Sequence, residues 1–322
     1  MNKLVYLRDM FFDEIVYFCL SNDDGHNFLD YIKKTILNRY SHGRKIIAFY
    51  GECHMFVYGD LMRMQKNLNK QYILLGGKGI SYLTTHHKKY IFDKRIWRKI
   101  DVLLYNVGAP LREDAPSLKQ ILEWISDSTI AIGITNAVFK GYMPQHTKRV
   151  FLNGGEFIWG DKNLNALIDS GSVDEERVLA LADENYYSKE YVNDYYDKAL
   201  KLLYAYEKKS QIKIADYIEK KGKKDILVWS VYHPKVELME EIVRRIFKYL
   251  NLEYLSINNS RLKRVFSLEH NAEAVYPSVY KGLGIHQDPK ARLFQPGNSL
   301  HNKKYSFMEY INQYVIRGRG GI

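Results

Sequence analysis

The chain has 322 residues, 46% of them hydrophobic and only two of them cysteine, with a formal net charge of +11 at pH 7. That much apolar content excludes disorder and suits one large or two modest domains. Two cysteines exclude a disulfide framework and a cysteine-built zinc site, and point to a reducing cytoplasm. No apolar run of about 18 residues is present to cross a membrane. Asp13 and Glu14 interrupt the apolar region near the N-terminus and no small-residue cleavage site follows, so no signal peptide is expected. The positive charge suits an anionic partner: a phosphorylated cofactor, a nucleotide sugar, nucleic acid or an anionic membrane surface. The alternative is drift in a chain rich in Lys, Asn, Ile and Tyr throughout.

In chain order, residues 1–40 read as an N-terminal extension of two short strands and a helix over 27–40. Residues 41–160 read as the first part of an α/β core, with strands at 46–50, 72–75, 102–105 and 129–134 and helices at 55–68 and 118–125. Residues 161–222 form a polar, helical insertion with helices over 174–183, 192–209 and 212–220. Residues 223–290 complete the core with a strong strand at 226–232. A helix follows whose apolar stripe is Met239, Ile242, Val243, Ile246, Phe247 and Leu250. The tail, 291–322, carries turns and short elements and is expected to fray at 317–321. Strands alternating with helices predict an α/β fold: a mainly parallel sheet flanked by helices in three layers, with an additional helical region.

Ligands bind outside the carboxyl ends of the strands in such a sheet. The polar residues expected at those ends are Cys53 and His54 after the first strand, Asn106 after the third, Asn136 after the fourth and His233 after the last. One sheet edge is expected to gather them. Cys53 opens a predicted helix, where free N–H groups and the helix dipole stabilise a thiolate or hold an oxyanion; the alternative is an inert buried thiol. Cys19 lies inside an apolar strand and reads as inert. His233 is a general acid or base, or a structural histidine before the helix-starting Pro234. His54 is a second catalytic group or a solvent-facing residue of the first turn. Asn106 is an oxyanion donor or a turn cap.

Gly76-Gly77-Lys78-Gly79 lacks P-loop spacing and reads as a tight turn. The basic tract from His86 to Lys99, which includes Lys88 and Lys89, either binds phosphates or is a solvated face. Lys140, Gly141 and Tyr142 form a loop after a strand end, where they either line a site or turn the chain. No H-E-x-x-H, no metal-ligand spacing and no G-x-G-x-x-G occur, so neither a metal nor a nicotinamide cofactor is expected.

Gly51-Glu52-Cys53-His54 after a short strand resembles the Gly-Asn-Cys-Gln start of the WcbI-type polysaccharide-biosynthesis acetyltransferases. Phe139-Lys140-Gly141-Tyr142-Met143-Pro144 resembles that family's aromatic, Gly-Tyr and Pro loop. The order Ala205-Tyr206-Glu207, Ile214-Ala215-Asp216-Tyr217-Ile218, Ser230-Val231-Tyr232-His233-Pro234 and Ala274-Val275-Tyr276-Pro277-Ser278-Val279 is similar to the family's as well. The resemblance spans residues 45–283.

It implies a cytoplasmic enzyme of capsule or surface-polysaccharide assembly that takes acetyl-CoA as co-substrate and acetylates a sugar hydroxyl. It also implies an SGNH- or flavodoxin-like three-layer core with Cys53, His233 and His54 as catalytic residues. Gly51, Glu52, Asn106 and Asn136 then position substrate or oxyanion, and Lys140, Gly141, Tyr142, Lys88 and Lys89 hold coenzyme A. Glu52 and His54 depart from the family's Asn and Gln, and Ser230 stands where SGNH enzymes place the acid that orients the histidine, so that acid comes from elsewhere, with Glu52 as a stand-in. An esterase or deacetylase on the same residues is the alternative. A non-enzymatic nucleic-acid or anion binder using the basic tract is the further one, without any recognised nucleic-acid motif.

Overall fold

The computed structural model describes residues 43–75, 94–108, 114–148, 157–171, 174–258, 262, 268–269, 272–289, 292–296 and 303–319. The elements expected within 1–40, Cys19, the 76–79 turn, Lys88 and Lys89 lie outside the described residues. The chain divides into two compact units, Met1–Asn136 with Ser210–Ile212 and Val243–Val265, and Ala137–Lys209 with Lys213–Ile242 and Phe266–Ile322.

The first unit is built on β1 (Lys45–Tyr50), α1 (His54–Arg63), α2 (Lys66–Gln71), β2 (Tyr72–Leu75), α3 (Lys94–Trp97), β3 (Val102–Val107), α4 (Leu118–Trp124) and β4 (Ile130–Thr135). All four strands pair in parallel, in the order β2-β1-β3-β4. The expected α/β architecture, a mainly parallel sheet with helices around it, is therefore observed. Alternation along the strands sorts side chains onto two faces. Ile46, Ala48, Tyr50 and Leu103 pack with Trp97, Ile100 and Ile121, joined by Tyr105, Leu118 and Trp124. Ile47, Phe49, Leu104 and Asn106 take the opposite face. Helix α4 starts where it does because Ser117 and Gln120 form a reciprocal capping box.

Two local differences from the sequence reading have clear causes. The single helix expected over 55–68 is two helices, because Gln65 between them is extended, at φ −92° and ψ 100°. Its buried amide donates to the Leu255 carbonyl and accepts the Leu255 N–H, both at 2.9 Å, as a strand backbone would. Residues 211 and 212, the latter expected to open a helix, instead lie along the outer edge of β4. The N–H groups of Gln211 and Ile212 donate to the Gly133 carbonyl, and Ile212 accepts the Thr135 N–H. Edge backbone groups are thereby paired rather than left open.

The second unit holds two short antiparallel pairs, β5 (His146–Thr147) with β6 (Gly160–Asp161) and β7 (Val228–Ser230) with β8 (His233–Pro234). Around them stand α5 (Lys162–Asp169), α6 (Glu175–Ala180), α7 (Lys189–Tyr206) and α8 (Ala215–Lys221). Helix α8 starts on a buried carboxylate: Glu207 Oε2 accepts the N–H groups of Ile214 and Ala215 at 2.8 and 3.0 Å. Helix α9 (Val236–Tyr249), which belongs to the first unit from Val243 onward, fully buries Met239, Ile242, Val243, Ile246 and Phe247 of the expected stripe, and Leu250 just beyond it is half-buried. Helix α10 (Pro277–Leu283) packs on α7, and α11 (Phe307–Arg319) packs on α5. Among the described residues no helix is long and apolar enough to cross a membrane.

The strand expected over 226–232 is a correction. Only Val228–Ser230 is extended, and it pairs with His233–Pro234 rather than with the parallel sheet. The chain reverses because its hydrogen bonds go elsewhere: the Val231 N–H to Glu273 Oε1 at 2.9 Å, and the Val231 carbonyl to the Phe139 N–H at 2.9 Å. The tail is the second correction. Helix α11 runs to Arg319, with Phe307, Tyr310, Ile311, Tyr314 and Val315 buried at helical spacing. Gly318 completes that stripe, since a Cβ there would stand 2.4 Å from Ile168 Cδ1.

The N-cap of α5 is a buried acid. Asp161 Oδ1 accepts the N–H groups of Asn163 and Leu164, and Oδ2 accepts the Tyr276 hydroxyl at 2.8 Å. Burial nevertheless pushes its pKa up to about 7, with the Glu273 charge adding to the effect. A folded-state pKa above the unfolded value of 3.8 means that the stability this group contributes is full below that value and is lost as pH rises through about 7. Urea midpoints of the wild-type chain are expected to fall between pH 5 and pH 8. Asp161→Asn, which keeps the cap, is expected to flatten that decline; an unchanged slope would show that Asp161 does not titrate in this window.

Candidate active site

The carboxyl edge of the parallel sheet brings β1 and β3 side by side. Their register pairs Tyr50 with Tyr105, so Gly51 is level with Asn106. In the order 2-1-3-4 the chain direction of winding reverses between β1 and β3, which is where open α/β sheets bind ligands. A Cβ on Gly51 would stand 2.3 Å from Asn106 Oδ1 and 3.0 Å from Met55 Cε. Glycine is therefore required by close approach, and the approach holds the Asn106 side chain over the turn. Asn106 lies within β3, is 1% exposed, and its Nδ2 has no hydrogen-bond partner. Such an amide is a donor held out of water.

Cys53 caps α1 in helical geometry, at φ −51° and ψ −29°. The N–H groups of Cys53 and His54 face its sulfur and lower its pKa, as the sequence argument expects. They are outweighed. Burial first, and the Glu52 carboxylate second, push the thiol up to about 11. The thiolate expected from helix position is thus not the resting form. Behind Cys53 sits Tyr58, fully buried, its hydroxyl without a hydrogen-bond partner. Burial and the nearness of Cys53 push that phenol well up, so it stays a neutral O–H donor. His54 is 3% exposed and meets Tyr58 edge-on at 6.5 Å, which rules out the solvent-facing alternative. Tyr58 was missed by sequence reading. Its only signal is its place on the helix that starts at Cys53, four residues after His54 and on the same face.

The remaining candidates are placed as follows. Asn136 is half-buried just beyond β4, at the same edge as Asn106 and Gly51. In the second unit, Lys140 is exposed. Gly141 is buried against Phe139, and Tyr142 is fully buried, donating its hydroxyl to the carbonyls of Gly222 and Asp225. His233 is also in the second unit, 6% exposed, opposite Ser230 in the β7–β8 hairpin. The parallel sheet therefore gathers Gly51, Glu52, Cys53, His54, Asn106 and Asn136 in one unit, and His233 is not on that sheet. Among the described residues no cluster of His, Cys, Asp and Glu is arranged to hold a metal ion.

The model of the family described as polysaccharide biosynthesis enzyme WcbI matches residues 81–255, more than half of the 322. The chain belongs to the WcbI family. The fold agrees: a solved WcbI structure superposes with a TM-score of 0.67 at 14% identity, covering 86% of this chain and 90% of that one. That structure is described as a polysaccharide biosynthesis enzyme, the native protein without a disulfide bond between coenzyme A and one of its cysteines. No curated protein matches the sequence. The WcbI match begins after Cys53, so the turn that carries Cys53 stands on its own geometry.

Two measurements test this geometry. Gly51→Ala is expected to destabilise the chain by roughly 1–3 kcal/mol through overpacking. In an Asn106→Ala background the same change is expected to cost less than half as much, because the clashing amide is gone; equal costs would place the strain elsewhere. Alkylation of Cys53 by iodoacetamide, read by peptide mass, is expected to rise about tenfold per pH unit from 7 to 10 without a plateau. Glu52→Gln removes the like charge, lowers the thiol pKa and is expected to speed alkylation at pH 8; a slower reaction would reverse the assigned sign.

Proposed function

We propose that this WcbI-family chain is a cytoplasmic, acetyl-CoA-dependent O-acetyltransferase that acetylates a sugar hydroxyl of a capsular or surface polysaccharide. The observation that carries the reading is the buried, unpartnered Asn106 amide beside the first turn of α1. Acyl transfer passes through a tetrahedral centre whose oxygen carries negative charge, and fixed donors in a dry site stabilise it most. Asn106 Nδ2 and the N–H groups at Cys53 and His54 are such donors. Gly51 leaves the approach open, and Asn136 borders it on the next strand. This division of labour parallels SGNH hydrolases, with an Asn donor on a strand next to the one that carries the nucleophile-type turn.

Coenzyme A as co-substrate is supported by the coenzyme A named for the similar structure. Its phosphates call for cations. Lys88, Lys89 and the exposed Lys140 are assigned to them, with Gly141 and the buried Tyr142 holding the loop that carries Lys140.

The protonation of Cys53 bears on two routes, transfer through an acetyl-cysteine and direct attack. With the thiol pKa pushed up to about 11, only about one molecule in ten thousand carries a thiolate at pH 7. We therefore favour direct attack of the sugar hydroxyl on the thioester, with Cys53 kept neutral by burial first and by Glu52 second. A histidine takes the hydroxyl proton; His54 and His233 are those the sequence puts forward.

Calorimetry is expected to show micromolar coenzyme A binding by wild type and by Cys53→Ser. Absence of binding would leave the esterase, which has no use for it. Rapid-quench intact mass after acetyl-CoA without acceptor is expected to show no adduct. An adduct of about 42 Da that disappears in Cys53→Ala would replace direct attack by an acetyl-cysteine intermediate.

A further inference from the structure

Two cations of the second unit meet at one indole. Lys235 Nζ lies 5.0 Å from the centroid of the Trp229 ring, and Arg292 Cζ lies 5.8 Å from it. Local structure fixes all three residues. Trp229 is on β7, and its carbonyl accepts the Glu273 N–H at 2.9 Å. Lys235 stands between β8 and α9, and its N–H donates to the Leu227 carbonyl at 2.9 Å. Arg292 Cζ lies 5.3 Å from the ring centroid of the fully buried Phe294, and Nη2 donates to the Val228 carbonyl at 3.0 Å. Arg292 Nε is buried without a hydrogen-bond partner. Lys235, Arg292 and Trp229 are each half-buried, so the cluster reaches the surface.

No carboxylate answers these charges: among the described residues none is within ion-pair distance of Lys235 or Arg292. The acids whose fields reach Lys235 are Glu237, Asp225 and Glu269. Glu237 is exposed, Asp225 accepts the Gln287 amide at 2.9 Å, and Glu269 is 2.6 Å from Lys304 Nζ. Burial first, and the Arg292 charge second, push the Lys235 pKa down to about 8 in spite of those acids. A ring face attracts each cation, but it does not cancel the repulsion between the two. A bound anion does. A guanidinium held in place presents paired N–H donors, and an ammonium beside it adds a point charge, which is the chemistry that recognises phosphate. Helix α9 opens directly after Lys235 and brings the positive end of its dipole to the same place. Neither cation belongs to the basic tract at 86–99, the stretch in which charge density is visible from sequence.

We propose that Lys235, Arg292 and Trp229 form an anion site that takes the phosphoryl group of a phosphorylated ligand. All three belong to the second unit, so the site is complete without any residue of the first. Binding is non-covalent: phosphoryl oxygens accept from the Lys235 ammonium and the Arg292 guanidinium, and the indole holds the two cations on one surface. The site does not rest on the acetyltransferase reading, since the charges call for an anion whatever the reaction. That reading supplies two ligands that carry the group, coenzyme A and a nucleoside diphosphate sugar serving as acetyl acceptor.

The test titrates the full chain with pyrophosphate in a calorimeter. Arg292→Gln and Lys235→Met are each expected to weaken binding by roughly 10–100-fold, the effect of losing a charge-assisted contact. A wild-type chain that binds no pyrophosphate at millimolar concentration overturns the proposal, and so do folded variants that keep wild-type affinity. A second readout needs no variant. The Lys235 ammonium, followed by NMR of labelled lysine, is expected to titrate near pH 8 in the free chain. Saturation with pyrophosphate is expected to move that titration upward, because a bound anion favours the charged form; a titration that stays in place overturns the proposal. Parallel titrations with coenzyme A and with uridine diphosphate glucose identify the source: the ligand that Arg292→Gln weakens is the one the site holds. If Arg292→Gln weakens neither, the proposal falls. A wild-type chain that binds pyrophosphate but not coenzyme A removes the acetyltransferase reading and leaves the anion site standing.

Discussion

The parallel register of β1 on β3 is the constraint from which the first unit's site follows. Pairing Tyr50 with Tyr105 puts Gly51 beside Asn106, and the missing Cβ at Gly51 is what lets the Asn106 amide stand there. A slip of one residue would turn Asn106 to the Tyr50 and Trp97 face of the sheet, where an amide would meet an apolar cluster. The same register fixes where β1 ends, and so where α1 begins and where Cys53 stands.

Two opposing electrostatic effects meet at that cysteine. Helix N–H groups favour the thiolate, and burial with a neighbouring carboxylate favours the thiol. The second pair wins, because an anion taken out of water loses more than two backbone donors return. The neutral Tyr58 hydroxyl behind it has the same origin. The turn is consequently a set of neutral donors beside one carboxylate, which suits stabilising charge that develops during a reaction better than storing charge at rest.

The second unit is organised differently, around buried carboxylates that each collect several donors. Glu207 holds the start of α8, Asp161 the start of α5 and the Tyr276 hydroxyl, and Glu273 the Val231 N–H and His146. Buried acids persist only with such partners. Asp161 and Glu273 tie residues distant in sequence, and Glu207 ties neighbouring turns; backbone groups that a larger sheet would have paired are taken by side chains instead.

The four parallel strands, the α9 stripe and the turn at Cys53 were legible from residue patterns alone, because period and punctuation are local properties. The α11 stripe was equally legible in Phe307, Tyr310, Ile311, Tyr314 and Val315, and was hidden only by the glycines that follow it. Local pattern also pointed to Asn106 and Gly51, but not to their contact. The break at Gln65, the hairpin that takes Ser230 and His233 away from the parallel sheet, the neutral state of Cys53 and the pairing of His146 with Glu273 belong to tertiary structure. Each depends on a partner between 42 and 190 positions away or on the depth of burial, and neither quantity is carried by the residues near the site in sequence. The sequence by itself determined which side chains the sheet edge presents; tertiary structure decided which of them are charged, which are partnered and which share a unit.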